Sequence, residues 1–188
     1  MALALCLAAG NPSAASIEKL WDAAAAYEST PSLRAVGYPP HLTLAIWETT
    51  DVSEEAARAA LARAVAGEQA IRLRFTRIAS FDADPLILWL APNPSPVLSR
   101  IHRAVHAIID PTFCHPHYRP DGWIPHCTLA TRIPADRRAD ALAFAARFDG
   151  DIDAVFDRAD CLTFPPVSLI ESHRLPPSAE SSDSTPCV

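Results

Sequence analysis

Two copies of a His-x-Thr tripeptide are the residues of this 188-residue chain whose types and spacing are best suited to chemistry. Positions 41–43 are His-Leu-Thr and positions 126–128 are His-Cys-Thr, and a leucine follows each of them. Because residues i and i+2 of a β-strand project from one face, each histidine would share a face with its threonine. The middle residue of each tripeptide would then point the other way, into a core.

Two histidines and two threonines on facing strands form a set suited to the cleavage of a phosphodiester. Imidazole titrates near pH 6.5, so either His41 or His126 can deprotonate the attacking oxygen while the other protonates the leaving oxygen. The hydroxyls of Thr43 and Thr128 can donate to the nonbridging phosphoryl oxygens, whose negative charge needs stabilising in the transition state. The four side chains therefore predict acid–base catalysis at a phosphoryl centre.

The elements around the two tripeptides repeat in the same order, which indicates a duplication. Periodicity and capping predict strands and helices in the order strand 2–9, helix 15–28, strand 41–47, helix 51–67 and strand 70–79, then strand 85–91, helix 95–109, strand 126–132, helix 134–148, strand 152–164 and a further strand 167–173. Equivalent positions keep a near-constant offset, 83 residues from Leu3 to Leu86 and 85 from His41 to His126. The repeat predicts pseudo-two-fold halves, about 1–80 and 84–174, whose motifs face each other across a cleft.

The paired motifs, in duplicated halves of a chain of this size, resemble those of the two-histidine (2H) phosphoesterase superfamily. Its bacterial and archaeal members include the RNA 2′,3′-cyclic phosphodiesterases, also called 2′-5′ RNA ligases. The segment 118–129, Tyr-Arg-Pro-Asp-Gly-Trp-Ile-Pro-His-Cys-Thr-Leu, is also similar to what such members carry around their second motif. The resemblance covers about residues 1–174.

The resemblance implies a bilobal α+β fold in which two antiparallel sheets form a central cleft and the helices lie outside. It implies His41 and His126 as the acid–base pair, Thr43 and Thr128 as the phosphate-binding residues, and a site without metal or other cofactor. The implied reaction opens a 2′,3′-cyclic phosphate, or cuts a 2′-5′ linkage, of an RNA end or a small nucleotide. The motifs leave open which histidine is the base, and whether the protein hydrolyses or ligates.

The loop at 110–125 supplies further candidates for substrate binding, since loops beside a scaffolded site often set specificity. Tyr118 or Trp123 could stack on a base, and Arg119 could hold a phosphate. Tyr38, three residues before the first motif, is a candidate for the stacking role as well. The alternative for Trp123 is that it only packs the loop.

Metal binding is the alternative interpretation of the histidines and cysteines in the second half. Five of them cluster in the sequence, but their spacing fits no standard zinc pattern: Cys114, His115, His117, His126 and Cys127. His102 and His106 share a helix face and could ligate, yet they lack the glutamate of a metalloprotease motif. We therefore expect no metal site, and a solvated helix face at His102 and His106.

Composition narrows the class of partner. The net charge of −6 argues against a general nucleic-acid binder, so a short RNA end or a mononucleotide fits better than a long RNA. A nucleotide-binding module on the same fold, with little turnover, is the alternative function.

Cellular context is predicted from the cysteines and from the apolar runs. Five cysteines without regular spacing favour free thiols in a reducing compartment. No apolar run approaches the roughly 20 residues of a membrane span, and residues 1–9 lack the basic start of a signal peptide. We expect a cytoplasmic monomer with no membrane contact, in which residues 1–175 form a single bilobal domain and residues 176–188 a disordered tail.

Overall fold

Alternating and continuous apolar runs form seven strands. In the computed structural model, which describes residues 1–178, these are β1 (Ala2–Ala9), β2 (His41–Glu48), β3 (Ile71–Phe81), β4 (Leu86–Pro92), β5 (Cys127–Ile133), β6 (Ile152–Phe164) and β7 (Ser168–Arg174). Every pairing between them in the described part of the chain is antiparallel. Each strand predicted from the sequence is present, with ends within a few residues of those expected.

The helices follow the predicted order. They are α1 (Ser13–Ala24), α2 (Leu33–Val36), α3 (Glu54–Ala64), α4 (Pro96–His106) and α5 (Arg138–Ala146), with 3-10 turns at Ala25–Tyr27, Pro111–Phe113, Pro116–Tyr118 and Ala135–Arg137. Ser53 caps α3 by accepting a hydrogen bond from the Ala56 amide at 3.2 Å, and Ser95 caps α4 in the same way. The one-turn helix α2 was not predicted, because four residues within a Pro-rich segment give no helical periodicity.

Strand pairing shows the pseudo-two-fold relation of the halves. Strand β1 pairs with β2 and β6, and its counterpart β4 pairs with β5 and β3. We call β2-β1-β6 with the added edge strand β7 the first lobe, and β5-β4-β3 the second lobe. The first lobe takes β6 and β7 from the second half of the chain, and the second lobe takes β3 from the first half, so the lobes do not coincide with the predicted halves 1–80 and 84–174.

The two lobes are joined into one hydrogen-bonded sheet rather than two separate ones. Strand β2 meets β5 at Leu42 and Cys127, and β3 pairs with the first part of β6. The α+β fold built from antiparallel strands and helices is confirmed. The continuity between lobes places the two motif strands, β2 and β5, side by side.

A single large core fills the space between the sheet and the helices. Its largest fully buried side chains include Trp47, Phe75 and Phe156, together with alternate leucines of β1. Burial of each such side chain stabilises the fold by roughly 1.5–3 kcal/mol. Leu42 and Cys127, the middle residues of the two motifs, belong to this core, so the histidines and threonines face the other way.

Two expectations concern the chain as a whole. No helix within residues 1–178 is long and apolar enough to span a bilayer. The predicted disordered tail 176–188 lies, from residue 179 onward, outside the described residues. At the start of that segment, the Pro176 carbonyl accepts a hydrogen bond from the Ala70 amide at 2.8 Å.

Candidate active site

The four motif side chains line one cleft of about 440 Å³. His41 begins β2 and His126 immediately precedes β5, so each lobe supplies one histidine. Thr43 and Thr128 lie on the same strand faces two residues further along, as the alternation of a strand requires. The cleft lies where the two pseudo-symmetric motif strands meet.

Both imidazoles are held in the same way by the backbone. His41 Nδ1 lies 2.9 Å from the Pro39 carbonyl oxygen, and His126 Nδ1 lies 2.7 Å from the Ile124 carbonyl oxygen. A carbonyl can only accept, so Nδ1 must carry the proton in each ring. This leaves Nε2 of each histidine as the nitrogen that can take a proton as a base or, once protonated, release it as an acid.

Burial lowers the pKa of both histidines below its ordinary value. For each ring the largest cause is loss of solvation, which the hydrogen bond to the carbonyl two residues earlier opposes. The proximity of His126 lowers the pKa of His41 further, and His117 acts similarly on His126. The unliganded site therefore favours neutral imidazoles at neutral pH, and a bound phosphate anion would favour protonation.

A β-bulge follows each motif threonine. Thr43 pairs with Cys6 and Ala45 with Leu5, which leaves Leu44 as the extra residue of β2. The register shift between β4 and β5 leaves Leu129 extra in the same manner, directly after Thr128. Bulges redirect side chains at the ends of strands, so the two shifts set the direction of the motif residues that precede them.

An indole N–H binds the backbone of each threonine beside its bulge. Trp123 Nε1 donates to the Thr43 carbonyl at 3.1 Å, and Trp21 Nε1 donates to the Thr128 carbonyl at 2.9 Å. The two tryptophans come from non-equivalent places, the loop before β5 and helix α1. Each motif threonine therefore has its carbonyl bound by an indole N–H, although the two tryptophans belong to elements that are not related by the pseudo-symmetry.

Trp123 supports the site from behind and does not line the cleft. Its ring stacks on His102 with centroids 3.8 Å apart and an interplanar angle of 1°. A base-stacking role is thereby disfavoured, because the ring is already stacked and its N–H is already bonded. The structure favours the packing alternative for Trp123 over a role in binding substrate.

Tyr38 and Tyr118 do line the cleft, one beside each histidine. The edge of the Tyr38 ring meets His41, with centroids 4.9 Å apart, and Tyr118 lies 6.3 Å from His126 in a stacked orientation. Burial raises the pKa of Tyr118 to about 12, so its hydroxyl stays protonated and can donate. Both tyrosines are thus placed where the sequence predicted them.

Asp160 is a residue near the site that the sequence analysis missed. Its side chain is fully buried on β6, accepts hydrogen bonds from Tyr38 at 2.6 Å and Ser172 at 2.5 Å, and pairs with Arg158 at 3.4 Å. The aspartate thereby fixes Tyr38, which contacts His41. The available signal was an acidic residue between the apolar residues of a strand, since a carboxylate is buried only when it has partners.

Arg119 does not reach the cleft, which corrects its prediction as a phosphate ligand. Its Nε donates to the Cys114 carbonyl at 2.8 Å and its Nη2 to the Thr112 carbonyl at 2.9 Å. The side chain lines a separate pocket with Phe113 and His115. Its guanidinium therefore stabilises the loop at 110–125 through hydrogen bonds to two carbonyls of that loop.

Four of the histidines considered for metal binding lie in two pairs, with ring centroids 4.6 Å apart for His102 and His106 and 4.9 Å apart for His115 and His117. Within residues 1–178, no group of three or more His, Cys, Asp or Glu side chains is placed to hold a metal ion. His102 and His106 are 3% and 6% exposed, so the predicted solvated helix face is wrong. They are buried because the loop at 110–125 folds over α4, where His102 Nε2 donates to the Tyr118 carbonyl at 2.9 Å.

Comparison with known proteins gives a family and a fold. The family model described as the 2′-5′ RNA ligase superfamily matches residues 11–164. Comparison with curated protein sequences gives no match.

Three solved structures with the same fold come from three different organisms. TT0787 of Thermus thermophilus has a TM-score of 0.63 and 15% identity, over 94% of this chain and 99% of that one. LigT of E. coli, solved with NADP+, has a TM-score of 0.57 and 16% identity over 92% and 96% of the two chains. Usb1 of Kluyveromyces marxianus has a TM-score of 0.50 and 12% identity over 93% and 98%. These structures share the fold, and the family match over most of its length shows that the chain belongs to the 2′-5′ RNA ligase superfamily, and thus to the two-histidine phosphoesterases that its paired motifs resemble.

Proposed function

We propose that this protein is a phosphodiesterase that opens 2′,3′-cyclic phosphates of RNA ends or nucleotides by acid–base catalysis with His41 and His126. The observation that carries the proposal is that both imidazoles are held in the same tautomer. Each has its Nδ1 proton bound by a backbone carbonyl, and each therefore offers Nε2 for proton transfer. A cleavage that needs one base and one acid on opposite sides of phosphorus uses such a pair.

The proposed reaction consumes one water. One neutral imidazole takes a proton from the water as its oxygen bonds to phosphorus. The bond from phosphorus to the 2′ or 3′ oxygen breaks, and the other imidazole, protonated at the start, gives its proton to that oxygen. Thr43 and Thr128 donate hydrogen bonds to the nonbridging oxygens, so no step in this scheme needs a metal ion. The product is a 2′ or 3′ phosphomonoester.

The titration of the site fits an anionic substrate. Burial disfavours two protonated imidazoles in the empty cleft, since each charged ring loses solvation. A phosphodiester anion placed between them restores a counter-charge and raises their pKa values, so that one ring can be protonated when substrate is bound. A structure with the same fold also supports an anionic substrate, since LigT of E. coli was solved in complex with two phosphate-containing compounds, NADP+ and 3′-AMP.

Hydrolysis of the four nucleoside 2′,3′-cyclic monophosphates in excess EDTA tests the proposal. Wild-type protein should turn over at least one of them, and His41→Ala or His126→Ala should lower kcat by roughly 10²–10⁴-fold. His173→Ala is the matched control, because His173 lies on β7 next to Glu171 and outside the cleft.

Three results would contradict the proposal. Activity that EDTA abolishes would indicate a metal-dependent hydrolase, and full activity in both variants would remove the histidines from the mechanism. Binding of the nucleotides by wild-type protein without any turnover would favour a nucleotide-binding module instead.

A further inference from the structure

One wall of the cleft is apolar and belongs to the first lobe. Ala4, Cys6 and Leu162 form a small buried cluster that is separate from the main core, and Ile46 and Phe164 pack against it. All five line the same cleft as the histidines. We call these five residues the apolar wall.

The rim of the cleft continues the apolar wall to the surface. Val36 of α2 is 41% exposed and Val167, between β6 and β7, is 36% exposed, and both line the cleft together with Pro165 and Pro166. Exposed apolar surface in a concave site next to polar reactive groups is typical of a ligand pocket. A volume of about 440 Å³ falls within the range of small-molecule sites.

Within residues 1–178, the lining of the cleft contains no charged side chain, since the Asp160 carboxylate is bonded to Tyr38 but does not itself line the cleft. In the described part of the chain, no Asp, Glu, Lys or Arg lines it. Arg34 lies between two lining residues of α2, but its guanidinium is bound to Glu18 at 2.8 Å and Asp22 at 2.9 Å. A second phosphate of a substrate would therefore lose water in this cleft without gaining a cationic partner.

We propose that the apolar wall binds a nucleobase, and that the substrate is a single nucleotide whose reacting phosphodiester is its only charged group. The inference rests on the proposed function, since it assigns the substrate of the same site. A planar base covers apolar surface with little loss of hydration, whereas a polyanionic RNA chain would need cations. The wall has few hydrogen-bonding groups, so all four bases are accepted and purines are favoured by their larger stacking area.

Three substrates separate this inference from the proposed function. They share a five-membered cyclic phosphate: adenosine 2′,3′-cyclic phosphate, the same compound with a 5′-phosphate, and glycerol 1,2-cyclic phosphate, which has no base. We expect kcat/KM for the glycerol compound to be roughly tenfold to a hundredfold below that of the adenosine compound, the usual contribution of one stacked base. The 5′-phosphate should not raise kcat/KM.

Substitutions in and near the cleft test whether the apolar wall is the part that binds the base. Phe164→Ala should raise KM for the adenosine compound about tenfold with little change in kcat, and should leave the glycerol compound unaffected. Leu169→Ala is the matched control, because Leu169 is an apolar residue of β7 that is 54% exposed and does not line the cleft. Val167→Arg places a cation on the rim and should raise kcat/KM for the 5′-phosphorylated compound alone.

The outcomes are distinguishable. Equal kcat/KM for the adenosine and glycerol compounds, with both activities lost in His126→Ala, would overturn the base-binding wall and leave the proposed function standing. A tenfold gain from the 5′-phosphate in wild-type protein would overturn the single-charge substrate. No turnover of any of the three, together with turnover of a short RNA that ends in a 2′,3′-cyclic phosphate, would overturn the single-nucleotide substrate and leave the proposed function standing.

Discussion

At the scale of single residues, the proposed mechanism depends on two histidines that the backbone holds in one tautomer. In each, the carbonyl two residues earlier accepts a hydrogen bond from Nδ1–H, and burial favours the neutral ring in the empty cleft. That each motif histidine shares a strand face with its threonine could be predicted from the sequence, because alternation along a strand places i and i+2 together. The lowered pKa of the histidines could not, because burial depends on how the lobes close around them.

The pH dependence of activity follows from these pKa shifts. We expect a bell-shaped profile of kcat/KM whose maximum lies below pH 6.5, because burial lowers the pKa of both rings in the free protein. The profile of kcat should lie at higher pH, since the bound phosphate anion raises both values. Initial rates between pH 4 and 9 test this, and a profile that is flat from pH 5 to 9 would exclude the histidine pair.

The threonines should contribute to the transition state. Thr43→Ala or Thr128→Ala should each lower kcat by about one to two orders of magnitude, somewhat less than the loss of a strong oxyanion donor. The serine variants, which keep the hydroxyl, should retain most of the activity. Thr76→Ala, on an exposed position of β3, serves as control. If both alanine variants stay within twofold of wild type, the phosphate-binding role is wrong.

At the scale of elements, a bulge after each threonine and an indole N–H on each threonine carbonyl fix the motif strands. Trp123→Phe and Trp21→Phe remove these donors and should each lower kcat about tenfold, with a loss of roughly 1 kcal/mol in the free energy of unfolding. KM should change little.

The control for the indoles is the same substitution in the core. Trp47→Phe removes a buried N–H that has no hydrogen-bond partner among the described residues, and it should affect stability without changing kcat. Kinetics and urea unfolding of the three variants separate positioning from packing. Equal kcat losses in all three would mean that the tryptophans act only through general packing.

Helix α4 and the loop over it make stability sensitive to acid. Burial lowers the pKa of His102 to about 4, and it lowers the pKa of His106 as well. The unfolded chain binds protons at these histidines near pH 6.5, whereas the folded one does not. The contribution of these two histidines to the free energy of unfolding is therefore fully present above pH 6.5. It is lost progressively as the pH drops from 6.5 toward 4.

His102→Gln should reduce this acid sensitivity, because glutamine does not titrate. The measurement is the midpoint of urea unfolding at pH 7.5 and pH 4.5 for the two proteins. A difference between the two pH values that is the same in wild type and variant would show that His102 is not responsible.

The sequence predicts where helices and strands lie better than it predicts which strands pair and how the loops pack. Strands and long helices followed from periodicity, and the Ser53 cap from its position before Glu54 and Glu55. The exchange of β3 and β6 between lobes could not be predicted, because periodicity shows which face of a strand is buried but not which strand pairs with it. Burial of His102 and the packing role of Trp123 likewise depend on how the loop at 110–125 folds back.

At the scale of the whole molecule, the net charge of −6 and the uncharged cleft make the protein unlike a general RNA binder. An acidic protein repels an anionic substrate, and salt screens this repulsion. When salt is increased from 20 to 200 mM, kcat/KM for a cyclic nucleotide should therefore stay unchanged or rise slightly. A steep fall over this range is the behaviour of proteins that neutralise several phosphates. Such a fall would indicate a basic binding surface that the cleft does not provide.

The two lobes are also not equivalent around the reacting centre. The pseudo-symmetric histidines line one cleft, but the apolar wall lies only in the first lobe, where Cys6 Sγ lies 3.7 Å from Thr43 Oγ1. A substrate that binds in one orientation gives each histidine one role, base or acid, so only one of the two ester bonds of the cyclic phosphate should break.

The most direct test of this account is the product formed from adenosine 2′,3′-cyclic phosphate in ¹⁸O-labelled water and excess EDTA, followed by ³¹P NMR. We predict a single phosphomonoester isomer that carries one solvent oxygen, formed by wild-type protein and by neither His41→Ala nor His126→Ala. A mixture of 2′ and 3′ isomers, a requirement for added metal, or the same product from either variant would contradict catalysis by a fixed pair of histidines.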